Sequence, residues 1–306
     1  MMPMPWQKRL VVLTYHRVHE SPDPFNQGDV DAATFEWQLR TLRRYFNVLR
    51  LDHAMERVRA GRALPACCVA LTFDDGYRDN ATLALPLLRK YGIPATFFVA
   101  TATIDGGIMW NDRIIEAMRR THNTSLDLSR HGLGIVSVAG EKERLATLGQ
   151  LIGKLKYAEA EERAILAQDV VDNAGVNLPT DLMMCSEQVL ELSQAGMEIG
   201  AHTHTHPIMC KLTPEQLRTE IAKSREMLEA ITGNTVVGFA YPNGRAGVDY
   251  AERERNLVAN SGFRYAMSTD WGHISARSDP YALPRISPWG EFPLKWAARV
   301  GLAYLQ

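Results

Sequence analysis

Two short polar segments, far apart in the chain, carry side chains that together could run a hydrolysis. The first is Thr72-Phe73-Asp74-Asp75-Gly76 and the second is His202-Thr203-His204-Thr205-His206-Pro207. Each follows an apolar stretch that reads as a buried strand, Val69-Ala70-Leu71 before the aspartates and Met197-Glu198-Ile199-Gly200 before the histidines. A catalytic zinc site typically takes three protein ligands and keeps one position for water. His202, His206 and one aspartate would supply the three. One carboxylate and two neutral imidazoles leave a dication net positive, and a tuned site lowers the pKa of zinc-bound water from about 9 to about 7. The second aspartate would stay free to take that proton. Alone, Asp-Asp-Gly is an ordinary turn after a strand, because both residue types favour turns. Three histidines within five residues after a buried strand are hard to explain as a solvated loop. Together the two segments favour a metal site with a base beside it.

The elements that must hold these groups alternate along the chain. Residues 10–15, 69–73, 95–99, the run into His202, 236–240 and 264–268 read as strands. Residues 34–46 place Phe35, Leu39, Leu42 and Phe46 on one helical face, and 79–91 looks helical with Gly92 closing it. Residues 187–195 and 253–261 are further helices. Thr213-Pro214-Glu215-Gln216 is a helix start, with Thr as N-cap, Pro at the first position and Gln three residues after the cap. The helix it opens runs to Gly233-Asn234. The stretch at about 104–185 breaks the rhythm. Helices at 111–120 and 142–173, separated by turns around 131–140, read as an insertion that needs the main body to bury its apolar faces. Repeating β/α units with polar motifs at strand ends predict an α/β fold with a parallel sheet, closed or nearly closed. In such barrels the functional groups gather at the C-terminal strand ends, where all these motifs fall.

Composition narrows the class. The chain has 306 residues, 46% hydrophobic and 23% charged, with a formal net charge of −1. That balance is ordinary for a globular protein and gives no global field for nucleic acid or an anionic membrane. The four cysteines, Cys67, Cys68, Cys185 and Cys210, include no Cys-x-x-Cys pair, and a reduced intracellular setting is the simplest expectation. The N-terminus lacks the basic-then-apolar order of a signal peptide, and no segment is a transmembrane candidate. A cytoplasmic location is expected. The 12 methionines read as core filler.

The Thr-Phe-Asp-Asp-Gly and His-Thr-x-x-His-Pro segments resemble the first two motifs of the polysaccharide deacetylase, or NodB-homology, family of carbohydrate esterases. Phe239-Ala240-Tyr241-Pro242-Asn243-Gly244 and Leu283-Pro284-Arg285-Ile286 extend the resemblance over most of the chain. Tyr15-His16-Arg17-Val18 is similar to the opening of exopolysaccharide-type members. The resemblance implies a deformed (β/α) barrel with a helical insertion, all one catalytic domain over residues 1–306. It also implies a metal-dependent hydrolase that removes acetyl groups from the N-acetylated sugars of a poly- or oligosaccharide, such as a surface-polysaccharide precursor. By position, Asp74 resembles the family's base, activating metal-bound water, and Asp75, His202 and His206 its metal ligands. Thr203 and Thr205 become local hydrogen-bonders. His204 has no family role, and strand-like alternation would bring it near the side of His202 and His206. The cofactor is one divalent ion: zinc suits the Asp-His-His set, and cobalt, nickel or manganese also fit.

The chain departs from the family pattern twice. The third motif lacks its usual Arg, and Arg285 could take that place by pairing with Asp74 or form an ordinary salt bridge. The late histidine motif is not cleanly present, which leaves His16 and His273 as candidates for the general acid. His16 is the better placed, at the end of the first strand. The backbone N–H of Tyr77 is a candidate oxyanion donor, and Trp110, Asp112, Tyr241, Trp271 and Trp289 are candidates for binding sugar. The partner is an N-acetylated glycan, with no nucleic acid. Rival metal sites fit less well. His202-x-His204 is similar to the amidohydrolase pair, which usually stands early in a chain. His202-x-His204-x-His206 is similar to metallo-β-lactamase sites, but Pro207 and Ile208 stand where Asp-His would follow. An amidohydrolase acting on a small-molecule amide, and a carbohydrate-binding member that has lost turnover, are the alternatives.

Overall fold

The computed structural model describes residues 9–288 and 293–305. These form two compact units, one of residues 9–22, 28–105, 184–288 and 293–305, the other of residues 23–27 and 106–183.

The first unit is built on a seven-stranded parallel sheet: β1 (Leu10–Tyr15), β2 (Asn47–Val48), β3 (Cys68–Phe73), β4 (Thr96–Val99), β5 (Glu198–Ala201), β6 (Gly238–Ala240) and β7 (Tyr265–Met267). The order is β1-β3-β4-β5-β6-β7, with β2 alongside the first residues of β3. Every residue of β1, β3 and β4 is buried, so these strands read as continuous apolar runs, as expected where both faces are covered. The two edges, β7 and β1, are joined by the irregular segment Leu283-Pro284-Arg285-Ile286. Leu283 pairs with Met267 and Ile286 with Leu13, and backbone hydrogen bonds of 2.7–3.0 Å run to both strands. The sheet is thus a deformed (β/α) barrel closed by single bridges rather than by an eighth strand.

Alternation along the strands fixes which side chains look inward. Val11, Leu13, Tyr15, Val69, Leu71, Phe73, Phe97, Val99, Phe239 and Tyr241 share one core with Leu39, Leu88 and Leu217 of the surrounding helices. Leu10, Val12, Cys68, Ala70, Phe98 and Ala240 belong to a second core on the opposite face. Continuing that second parity past the strand ends reaches His16, Asp74 and His202. Period two therefore aims all three at the C-terminal mouth of the barrel.

The helices differ from expectation where proline and length intervene. Residues 79–91 form a wide π-helical turn, Asn80–Ala84, before the α-helix Leu85–Tyr91; Pro86 has no N–H to continue a regular ladder backward. Gly92 and Gly233 close their helices in the left-handed conformation, and Thr213 with Gln216 makes the expected capping box. Helices Leu51–Arg59 and Pro293–Ala303 lie outside the expected set, although Leu51, Ala54, Met55 and Val58 recur at helical spacing in the first.

The second unit corrects the reading of the insertion. Helix 142–173 is two helices, Glu141–Leu155 and Ala160–Ala174, both packed on Trp110–Arg120. An unbroken helix would span about 48 Å, far beyond the roughly 16 Å of the helix it must cover. The turns at 131–140 belong in part to a hairpin that pairs Ser125–Asp127 with Ile135–Ser137. The apolar faces are buried on one another, with Ile114, Met118, Leu151, Leu155, Leu166 and Val170 forming a core of their own.

Candidate active site

The first motif turns sharply because its backbone does. Asp75 has φ 74° and Gly76 φ 91°, and a Cβ on Gly76 would lie 2.7 Å from Val99 Cγ1. Thr203 (φ 63°) and His206 (φ 55°) are also left-handed. Such non-glycine residues cost on the order of 1–3 kcal/mol each and persist where surrounding contacts over-determine them. Those contacts are present. The Asp75 and Gly76 carbonyls accept from Ala100 (3.2 Å) and Met184 (3.0 Å). Glu220, on the helix Pro214–Thr232, accepts from the backbone N–H groups of His204 (2.9 Å) and Thr205 (2.7 Å) and from the Thr205 hydroxyl (2.8 Å).

The two turns bring Asp75, His202 and His206 together. Asp75 Oδ1 lies 3.4 Å from His202 Nε2 and 3.3 Å from His206 Nε2. Ligand atoms around a tetrahedral zinc with bonds of about 2.0–2.1 Å stand about 3.3 Å apart, so the spacing fits one small cation. His202 Nδ1 donates to the Ala240 carbonyl at 2.8 Å, which leaves the Nε2 lone pair facing Asp75. Burial lowers the His206 pKa to about 4, which keeps that ring neutral and ligand-ready. Burial also pulls His202 down, but the Asp75 hydrogen bond and the two carboxylates outweigh it and raise its pKa. Burial would raise Asp75; His206, His202 and His16 hold it well below the usual carboxylate range.

Asp74 sits beside this cluster, 2% exposed, and faces Arg285. Arg285 Nη1 donates to Oδ1 and Nη2 to Oδ2, both at 2.7 Å. The guanidinium is itself buried and anchored: Nε donates to the Ser268 carbonyl (2.9 Å), Nη1 also to Thr72 Oγ1 (3.2 Å), and Phe98 lies beneath it. Burial alone would raise the Asp74 pKa, but Arg285 and His202 reverse the sign and lower it. The carboxylate is therefore ionised and held in one orientation.

The sequence signature of polysaccharide deacetylases matches residues 61–266, which take in both motifs. The chain belongs to the polysaccharide deacetylase family. YxkH of Bacillus subtilis, whose name carries the same family, is 23% identical over 279 residues, 91% of this chain and 71% of that protein. The fold is shared with the Streptococcus pyogenes deacetylase PplD in complex with acetate (TM-score 0.64, 18% identity, 96% of this chain and 98% of that one). It is shared also with IcaB from Ammonifex degensii (TM-score 0.61, 20% identity, 97% of each chain).

The other residues singled out in the sequence fall in several places. His16 follows Tyr15, whose carbonyl accepts from Asp74 N–H at 3.0 Å, and its exposed ring lines a cavity of about 130 Å³ with Arg17, Asp29 and Pro288. His273 is elsewhere. Its neighbour Ile274 pairs with Leu10, at the opposite end of β1 and about 16 Å along the strand from Tyr15. His273 thus cannot reach a substrate at Asp74. Tyr241 is also corrected. Its ring is fully buried because residue 241 shares the parity of Phe239; it stacks on Tyr250 at 3.8 Å and donates to the Tyr281 carbonyl. The Tyr77 ring is buried under Arg17. Trp271 is 38% exposed, with Arg299 over one face. Trp110 and Asp112 belong to the second unit, where Trp110 opens a helix and packs under Arg163 and Asp112 is buried. Trp289 lies outside the described residues. His204 turns away, because the left-handed Thr203 breaks strand alternation; its Nδ1 meets Thr101 Oγ1 at 2.8 Å and its Nε2 faces Lys223.

Sequence reasoning missed Thr72, Ser268, Asp79 and Asn80. Thr72 shares the parity of Asp74, a signal that was available. The Ser268 contact uses a backbone carbonyl, and Asp79 and Asn80 stand in an irregular turn, so none of these had one.

Proposed function

We propose that the protein is a metal-dependent hydrolase that removes acetyl groups from N-acetylated sugars of a poly- or oligosaccharide. The observation that carries this reading is the Asp75, His202 and His206 cluster, of one-cation size, beside an aspartate held by a buried arginine. A divalent cation on those three residues would polarise the acetamide carbonyl and acidify the attacking water. Asp74 takes the proton of that water as its oxygen bonds to the carbonyl carbon. Arg285 keeps Asp74 ionised and aimed rather than strongly basic. His16, at the rim, gives a proton to the sugar nitrogen as the C–N bond breaks. The products are acetate and a free amino sugar. Exposed Trp271 is a candidate surface for the glycan.

Acetate release from an N-acetylated chitooligosaccharide tests this. Asp74→Asn should lower turnover by about 10²–10⁴-fold, the usual worth of a general base, while bound metal is unchanged. Unchanged turnover in that variant would remove Asp74 from the chemistry.

A further inference from the structure

His16 is exposed, yet the backbone that carries it is pinned. Three hydrogen bonds reach residues 16–18 from two consecutive side chains just beyond the Asp-Asp-Gly turn. Asn80 Nδ2 donates to the His16 carbonyl at 2.8 Å. Asp79 Oδ2 accepts from Arg17 Nε at 2.8 Å, and Asp79 Oδ1 accepts from the Val18 backbone N–H at 3.0 Å. Asn80 Nδ2 also donates to Asp79 Oδ1 at 3.2 Å, which locks the two side chains together. Asn80 is fully buried and Asp79 is 8% exposed.

The orientation of the Asn80 amide shows what the pair is for. Its Oδ1 is buried with no hydrogen-bond partner, an arrangement that costs stability. The reverse orientation would set three oxygens against one another: Asn80 Oδ1, the His16 carbonyl and Asp79 Oδ1. The amide thus leaves its own acceptor unsatisfied so that its donor can hold the His16 carbonyl. Packing alone would be met by an apolar residue of that size.

We propose that Asp79 and Asn80 are positioning residues that fix the His16 imidazole at the rim of the Asp74, Asp75, His202 and His206 cluster. One continuous segment, residues 74–80, then sets the place of both the base and the proton donor. This rests on the acid role given to His16 above. Misplacing a reacting group by about 1 Å can cost about 10²-fold in rate.

The test uses Asn80→Ala in the wild-type and His16→Ala backgrounds, with two substrates. An N-acetylated chitooligosaccharide has a poor amine leaving group; 4-nitrophenyl acetate needs no proton donor. Asn80→Ala should lower kcat on the oligosaccharide about 10- to 100-fold, with little change in KM and with the aryl ester spared. It should cost nothing further in the His16→Ala background. Equal loss on both substrates, or the same loss without His16, would overturn the proposal. Nuclear magnetic resonance of labelled histidine reads the clamp without any turnover. The His16 ring signals should move in Asn80→Ala while those of His202 and His206 stay, and unmoved His16 signals would also overturn it. A wild type that releases no acetate, with the His16 signals still moved in Asn80→Ala, would retire the deacetylase reading and leave the clamp. Asn80→Asp, which puts an acceptor against the His16 carbonyl, serves as the second variant should Asn80→Ala not fold.

Discussion

At the scale of single residues, the arrangement turns on how Asp74 is held. Two carboxylates stand side by side in the chain, and their surroundings divide them. Asp75 faces two imidazoles at a spacing suited to a cation; Asp74 faces a guanidinium that meets both its oxygens. Only a planar fork can make that pair while Nε reaches the Ser268 carbonyl and Nη1 also reaches Thr72. A lysine at 285 keeps the charge and loses the fork. Arg285→Lys should therefore lower kcat by roughly 10–100-fold, the usual cost of losing an orienting partner, with metal binding retained. Steady-state kinetics beside elemental analysis checks this, and near-wild-type kcat would reduce Arg285 to an ordinary buried ion pair.

At the scale of elements, strand alternation and two tight turns do the positioning. Gly76 is the pivot: its φ of 91° and the 2.7 Å approach to Val99 leave no room for a side chain. Gly76→Ala should destabilise the protein by about 1–3 kcal/mol and lower turnover by shifting Asp75; an unchanged denaturation midpoint would contradict that account of the turn. Much of this level could be read from residue types. The apolar runs of β1, β3 and β4, the Thr213 capping box and the closing glycines Gly92 and Gly233 are local signals, and Asp74, Asp75, His202 and His206 follow the strands at their predicted ends. What could not be read depends on long-range geometry. The Arg285 segment closes the barrel through single bridges that have no strand pattern, Tyr241 falls on the wrong parity for the mouth, and Thr203 turns His204 aside. The split of 142–173 into two helices was hidden because its sequence is helical throughout, and only the length of the helix it covers forces the break.

At the scale of the whole molecule, the barrel buries an acid at its other end too. Glu198, at the start of β5, accepts hydrogen bonds from Thr96 Oγ1 (2.7 Å), the Asp52 backbone N–H (3.2 Å) and the Tyr265 hydroxyl. Burial, reinforced by Asp52, raises its pKa from 4.5 to about 7. The folded state thus binds this proton more tightly than the unfolded chain. The stability it contributes is fully present below about pH 4.5 and is lost as pH rises through about 7, with a slope of up to about 1.4 kcal/mol per pH unit. Glu198→Gln keeps the hydrogen-bonding shape without the charge and should remove that decline in denaturant titrations between pH 5 and 8; an identical decline in both proteins would assign it to other groups. The formal net charge is −1, and among the described residues no helix is long and apolar enough to cross a membrane. The proposed function rests on the cation that Asp75, His202 and His206 are proposed to hold. Elemental analysis of the purified protein and of His202→Ala, each dialysed against metal-free buffer and then given zinc, tests this most directly. The account predicts close to one tightly held equivalent in the wild type, lost in the variant. No retained metal in the wild type, or the same amount in both, would contradict it.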